Sequence, residues 1–227
     1  MKTLLVTGTD TDVGKSWISC ALLQQLLQQG ISVGAYKPVC SGVMTDANGR
    51  RVWSDVERLA AAAGWTGSRN QICPQRFDAA VAPNVAAALE NRTVDDALLD
   101  SGLQRWRPFV THTVVEGAGG LLCPLSDQSS VADFAVRING PVLIVAANKL
   151  GVINHTLLTV EAARHRGLQV AGVVLNDCVA ADVSATSNLN QLTHWLSNIP
   201  IWRCAHNSQR LLDAEGQPAF SAIDCFA

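Results

Sequence analysis

Residues 8–16, Gly8-Thr9-Asp10-Thr11-Asp12-Val13-Gly14-Lys15-Ser16, follow directly on the apolar run Thr3-Leu4-Leu5-Val6. A strand-length apolar run, a loop ending in Gly-Lys-Ser and then an amphipathic run (Trp17, Ile18, Ala21, Leu22, Leu26) constrain the fold more than any other stretch. A loop opening a helix in this way aims backbone N–H groups and the positive helix end at one point, which makes a cradle for a polyphosphate. In such a cradle Lys15 reaches the β/γ-phosphates and the Ser16 hydroxyl ligates Mg2+. The spacing is unusual, because five residues rather than four separate Gly8 from Gly14. By itself it leaves open an ordinary glycine-containing turn.

A phosphate cradle needs a sheet to carry it, and the chain has the material for one. Its 227 residues are 48% apolar and 16% charged, the balance of a compact globule with a substantial core. Net charge is −2 with no basic run, so neither nucleic acid nor a membrane surface is expected as a partner. The longest apolar run, Val142 to Ala147, is far too short to span a bilayer. The seven cysteines (Cys20, Cys40, Cys73, Cys123, Cys178, Cys204, Cys225) are scattered, odd in number and never spaced C-x-x-C. Reduced thiols follow, and with a strand beginning at once and leaving no room for a leader, a cytoplasmic protein is expected. His112, His165, His194 and His206 have no metal-ligand spacing and read as surface or satisfied residues.

Short apolar runs alternate with helix-length segments, which predicts βαβ units and a parallel sheet. Strands are expected at Thr3–Val6, Val33–Tyr36, Thr113–Glu116, Pro141–Ala147 and Gln169–Leu175. Helices are expected at 15–29, 55–63, 83–90, 94–106, 131–138, 155–166 and 182–196, with Gly30 and Gly167 as C-terminal caps and Ser54 as an N-cap. The fold class is α/β: one domain over residues 1–227, mostly parallel, with helices on both faces.

Ligands of such sheets lie outside the carboxyl ends of the strands. The second strand ends in Tyr36-Lys37-Pro38-Val39-Cys40-Ser41-Gly42, where Lys37 adds a cation beside the cradle. Asp55 opens a helix further on. The third strand ends in Glu116-Gly117-Ala118-Gly119-Gly120, and a buried acid there has a reason if it contacts a metal. The next ends in Asn148-Lys149-Leu150-Gly151; the glycine replaces the aspartate that reads guanine, which argues against guanine. The last ends in Asn176-Asp177, where an amide offers a donor and an acceptor to a base edge.

Together these pieces resemble the dethiobiotin synthetases, a family of ATP-dependent cyclo-ligases of the P-loop NTPase superfamily. The resemblance rests on Thr7 to Ser16, Tyr36-Lys37-Pro38-Val39 with Ser41-Gly42, Ser54-Asp55, Glu116 to Gly120, Pro124-Leu125-Ser126-Asp127, Gly151-x-Ile153-Asn154-His155 and Asn176-Asp177. That family uses the longer loop. The resemblance implies ATP and Mg2+, with CO2 and 7,8-diaminopelargonic acid as small-molecule substrates. It implies catalytic roles for Lys15 and Lys37, and Mg2+ on Ser16, Asp55 and Glu116. Nucleotide contacts are implied for Asp12, Val13, Gly14, Lys15, Ser16, Trp17, Asp55, Glu116, Gly117, Ala118 and Gly119. Asn176 and Asp177 join them, as do Pro200, Ile201 and Trp202 in the divergent segment 197–227. Substrate contacts are implied for Thr11, Ser41, Gly151, Val152, Ile153 and Asn154, the last four across the interface of a homodimer. The alternative of another class is a regulatory ATPase that binds a protein partner.

Overall fold

The computed structural model describes residues 1–178, 180, 182–213, 215–217 and 220–227. The first part of the chain runs β1 (Lys2–Gly8), α1 (Lys15–Gln28), β2 (Val33–Tyr36), β3 (Val39–Ser41), β4 (Met44–Thr45) and β5 (Arg51–Val52). Then come α2 (Ser54–Ala62), α3 (Arg69–Ile72), β6 (Gln75–Phe77), α4 (Pro83–Leu89) and α5 (Asp96–Gln104). The second part runs β7 (His112–Gly120), α6 (Val131–Ile138), β8 (Val142–Ala147), α7 (Val152–His165) and β9 (Val170–Asn176). A 3-10 turn (Val183–Thr186), α8 (Asn188–Trp195), β10 (Ile201–Cys204), β11 (Leu211–Leu212) and a last 3-10 turn (Asp224–Phe226) complete it.

Seven strands form one sheet in the order β11-β10-β9-β8-β1-β7-β2, parallel except where β11 pairs antiparallel with β10. The chain moves one way from β1 to β2 and the other way from β7 to β8, β9 and β10. Right-handed crossovers therefore put α1 on one face and α6, α7 and α8 on the other. Being covered on both faces, the central strands are buried over most of their length: all six residues of β8 are buried, as are Leu4, Leu5 and Val6 of β1. Gly34 of β2 is a glycine because a Cβ there would stand 2.5 Å from the Trp106 ring. Gly30 and Gly167 close α1 and α7 with positive φ angles of 75° and 70°. No helix among the described residues is long and apolar enough to cross a membrane.

Where the structure departs from expectation, local hydrogen bonding or pairing explains it. The expected loop after Glu116 is strand as far as Gly120, because Gly120 pairs with Gly8 across an irregularity in the register. Ser54 is the first residue of α2 and not its cap; Trp53 stands at the cap position. The helix expected over 182–196 is broken, because the Asp182 carboxylate accepts from the Ser184 N–H and winds a separate turn, with α8 starting at Asn188. α7 starts at Val152 rather than at residue 155, because Gly151, with a φ of 91°, turns the chain directly into the helix. The parallel pair β3–β6 and the hairpin β4–β5 are additional, two or three residues a strand.

Candidate active site

β1 enters the cradle under tight steric control. A Cβ on Gly8 would meet the Asp10 carbonyl at 2.7 Å and Val13 at 2.8 Å, so the loop closes over a glycine only. Asp12 and Gly14 both have positive φ (57° and 91°), which turns successive N–H groups inward before α1 begins at Lys15. The Lys15 ammonium donates to the Asp10 carbonyl at 2.9 Å. Burial and then the nearby Lys37 charge lower its pKa from the ordinary lysine value.

Four side chains, from α1, the residue after β2, α2 and β7, meet beside it. The Ser16 hydroxyl lies 2.9 Å from Asp55 Oδ1 and 2.9 Å from Glu116 Oε1. Lys37 Nζ lies 2.6 Å from Glu116 Oε1 and 3.1 Å from Asp55 Oδ2. Burial works against the Lys37 ammonium, but the Glu116 and Asp55 carboxylates outweigh it and hold its pKa well above the ordinary value. Asp55 is lowered in return, chiefly by Lys37. Glu116 is fully buried, and its second oxygen, Oε2, has no hydrogen-bond partner. A buried carboxylate oxygen without a partner is costly, and a hard cation relieves it. Ser16, Asp55 and Glu116 therefore fit Mg2+, which takes one or two carboxylates together with substrate phosphates. Among the described residues no larger His/Cys/Asp/Glu cage exists.

These groups open on a cleft of about 690 Å³, within the range of small-molecule sites. Thr11, Asp12, Gly14, Lys15, Ser16, Trp17, Lys37, Ser41, Asp55, Glu116, Ala118 and Gly119 line it. The Ser41 hydroxyl donates to the Val81 carbonyl at 2.6 Å. Gly117 faces Val131 instead, and Gly151 to Asn154 do not line this cleft within one chain.

Asn176 and Asp177 are not among the residues that line the cleft. The Asn176 amide donates to the Val13 carbonyl at 3.0 Å, and a Cβ on Gly14 would collide with that amide nitrogen at 1.9 Å. One of its two N–H groups is thus engaged as a latch on the loop. The Asp177 carboxylate pairs with Arg203 at 2.8 Å and accepts from Asn148 at 2.8 Å, so it is a strut. Pro200, Ile201 and Trp202 require a correction. They stand at the amino end of β10, where Ile201 pairs with Val173, three residues before Asn176, and Trp202 packs on Gly172 and Phe220. The residues that reach the carboxyl end of the sheet are Cys204, paired with Asn176, and the turn after it. Arg58 and Cys123 also line the cleft and carry no motif that marks them in sequence.

A family model described as an AAA domain matches residues 2–204. The chain is 40% identical over 207 residues to the ATP-dependent dethiobiotin synthetase BioD of Anaeromyxobacter sp. (strain Fw109-5), covering 91% of each chain. It is 42% identical over 180 residues to the protein of the same name from Yersinia pestis bv. Antiqua (strain Angola), covering 79% of this chain and 75% of that one. In fold it is similar to chloroplast FtsY from Physcomitrella patens, with a TM-score of 0.51 at 15% identity. That match spans 99% of this chain and 63% of the other, and at this identity it speaks to fold alone.

Proposed function

The chain belongs to the family of ATP-dependent dethiobiotin synthetases, and from that premise we propose how its cleft performs the reaction. Its substrates are ATP, CO2 and 7,8-diaminopelargonic acid. One amine of the diamine takes up CO2 as a carbamate. A carbamate oxygen then attacks the γ-phosphorus of ATP in line, and ADP leaves. The second amine attacks the carbonyl carbon of the resulting carbamic-phosphoric anhydride, and the ureido ring closes as phosphate departs.

The observation that carries this reading is the buried Lys37 held between Glu116 and Asp55, the two carboxylates that the cradle serine Ser16 also meets. Phosphoryl transfer needs positioning and charge stabilisation more than covalent chemistry. Lys15 and Lys37 supply fixed positive charge to the oxygens of the transferring group, in a site too buried for water to screen them. Ser16, Asp55 and Glu116 would hold Mg2+, which neutralises charge across the β- and γ-phosphates when bound. Ser41 and Thr11, on the cleft wall, hydrogen-bond the carbamate end of the diamine. No cysteine acts as a nucleophile.

The whole chain, 1–227, works as one catalytic domain in the cytoplasm and as a homodimer. Support for the dimer comes from a second concavity, which Leu122 and Leu158 line while remaining 54% and 56% exposed. A second copy against that face would cover them and bring its own Gly151 to Asn154, at the start of α7, to the carboxylate of the substrate. The test is incubation with Mg-ATP, bicarbonate and 7,8-diaminopelargonic acid, followed by mass detection. A diamine-dependent ureido product supports the reading; ATP hydrolysis indifferent to the diamine contradicts it.

A further inference from the structure

Trp17 is the residue after the cradle serine, on the first turn of α1, and its ring lines the cleft. Its indole N–H does not point to solvent. It donates at 2.6 Å to the carbonyl of Ser208, which lies 191 residues away in the chain. The thiol of Cys204, the last residue of β10, donates to the same carbonyl at 3.2 Å. Ser208 closes a tight turn: its N–H donates to the Ala205 carbonyl at 2.9 Å, and Asn207 has a positive φ of 58°. At the other side of that turn the His206 ring meets the Asp177 carbonyl at 3.0 Å. The turn is therefore fixed to the end of β9 through His206 and to the nucleotide helix through Trp17.

The two ends of a bound nucleotide are distinguishable by charge. Lys37, Asp55 and Glu116 mark the phosphoryl end. The Ala205–Ser208 turn follows Cys204, which pairs with Asn176, the residue whose amide latches Val13 in the cradle. We propose that Trp17 is a positioning residue that holds this turn as the wall of the nucleoside half of the site, so that loss of its tether weakens binding of the nucleoside but not of the phosphates. The proposal rests on the nucleotide reading above.

The test uses the full chain as wild type, Trp17→Phe and Asn207→Val. Trp17→Phe keeps an aromatic ring and removes the donor; Asn207→Val penalises the left-handed backbone of the turn without touching Trp17. In the diamine-dependent assay both variants are expected to raise the KM for ATP about fivefold, the size of one net hydrogen bond, with kcat reduced less than twofold. Inhibition by inorganic tripolyphosphate, which carries only the phosphate half, is expected to keep its wild-type constant in both. Amide exchange in the peptide spanning residues 205–210 is expected to quicken in both variants before ATP is added. An unchanged KM for ATP overturns the proposal, as does a tripolyphosphate constant that weakens in step with it. A wild-type chain without Mg-ATP turnover refutes the functional reading itself; wild-type turnover with unmoved variants refutes only the tether.

Discussion

Lys15 and Lys37 are both buried cations, and their surroundings push them in opposite directions. Lys37 is paired; Lys15 has only a backbone carbonyl within reach and a like charge nearby. Lys15 is therefore held at a cost that a polyphosphate relieves, as active-site residues commonly are. Lys15→Met is expected to leave the melting temperature of the ligand-free chain equal or higher while ATP binding is lost; calorimetry and nucleotide titration check both. Lys37→Gln is expected to do the reverse. It removes the partner of two carboxylates and costs about 3–5 kcal/mol of stability, and turnover falls by roughly 10²–10³. Linkage sets the pH window. Asp55 is depressed below the unfolded value of about 3.9, so its contribution is present above that pH and is lost as pH falls through the folded value. Lys37 is raised above about 10.4, so its contribution is present below that pH and is lost only as pH rises through the higher folded value. The pair's stabilisation is thus flat from about pH 5 to 9. Melting temperatures of Asp55→Asn are expected to sit below wild type at pH 7 and to converge on it as pH falls through the lowered carboxyl value of the folded state.

The elements that hold these residues make contributions that separate. Ser130 caps α6 in a reciprocal box with Asp133, and neither side chain lines the cleft. Ser130→Ala is expected to cost about 1 kcal/mol in denaturant unfolding with kcat unaltered. Asn176→Ala, in contrast, removes the latch on Val13 and is expected to raise the KM for ATP with little change in stability. The same comparison shows what the sequence made legible. The central strands announced themselves because a strand covered on both faces must be apolar throughout, and β2 falls on the expected Val33–Tyr36. The cradle was visible because Gly8, Gly14, Lys15 and Ser16 are each required locally. β3 to β6 were not, since strands of two or three residues carry no period. Pro200 to Trp202 were misplaced for another reason. Where β10 ends is decided by its pairing with β9, a tertiary fact, and not by the residues around Pro200.

At the scale of the molecule, the divergent tail is integrated rather than appended. The Ala222 N–H donates to the Gln25 side chain on α1 at 2.7 Å, and Phe226 stacks edge-on against His112 with ring centres 5.0 Å apart. The tail is therefore tied to α1 at Gln25 and to β7 at His112, which no motif in the tail reveals. The proposed homodimer is tested at this scale. Leu158→Glu places a charge on the face that the proposal assigns to a second copy, and gel filtration is expected to shift from dimer to monomer, with the KM for the diamine rising because the proposal has Gly151 to Asn154 supplied in trans. The central claim, that the Ser16, Lys37, Asp55 and Glu116 constellation transfers a phosphoryl group to a carbamate, is reached most directly by isotope transfer. Turnover in bicarbonate freshly labelled with heavy oxygen, with Mg-ATP and 7,8-diaminopelargonic acid, is followed by mass analysis of the released phosphate. One labelled oxygen per phosphate, seen only with the diamine, is the predicted result, because the carbamate oxygen leaves with the phosphate when the ring closes. Unlabelled phosphate released at the same rate without the diamine would contradict it and make the protein an ATPase of another kind.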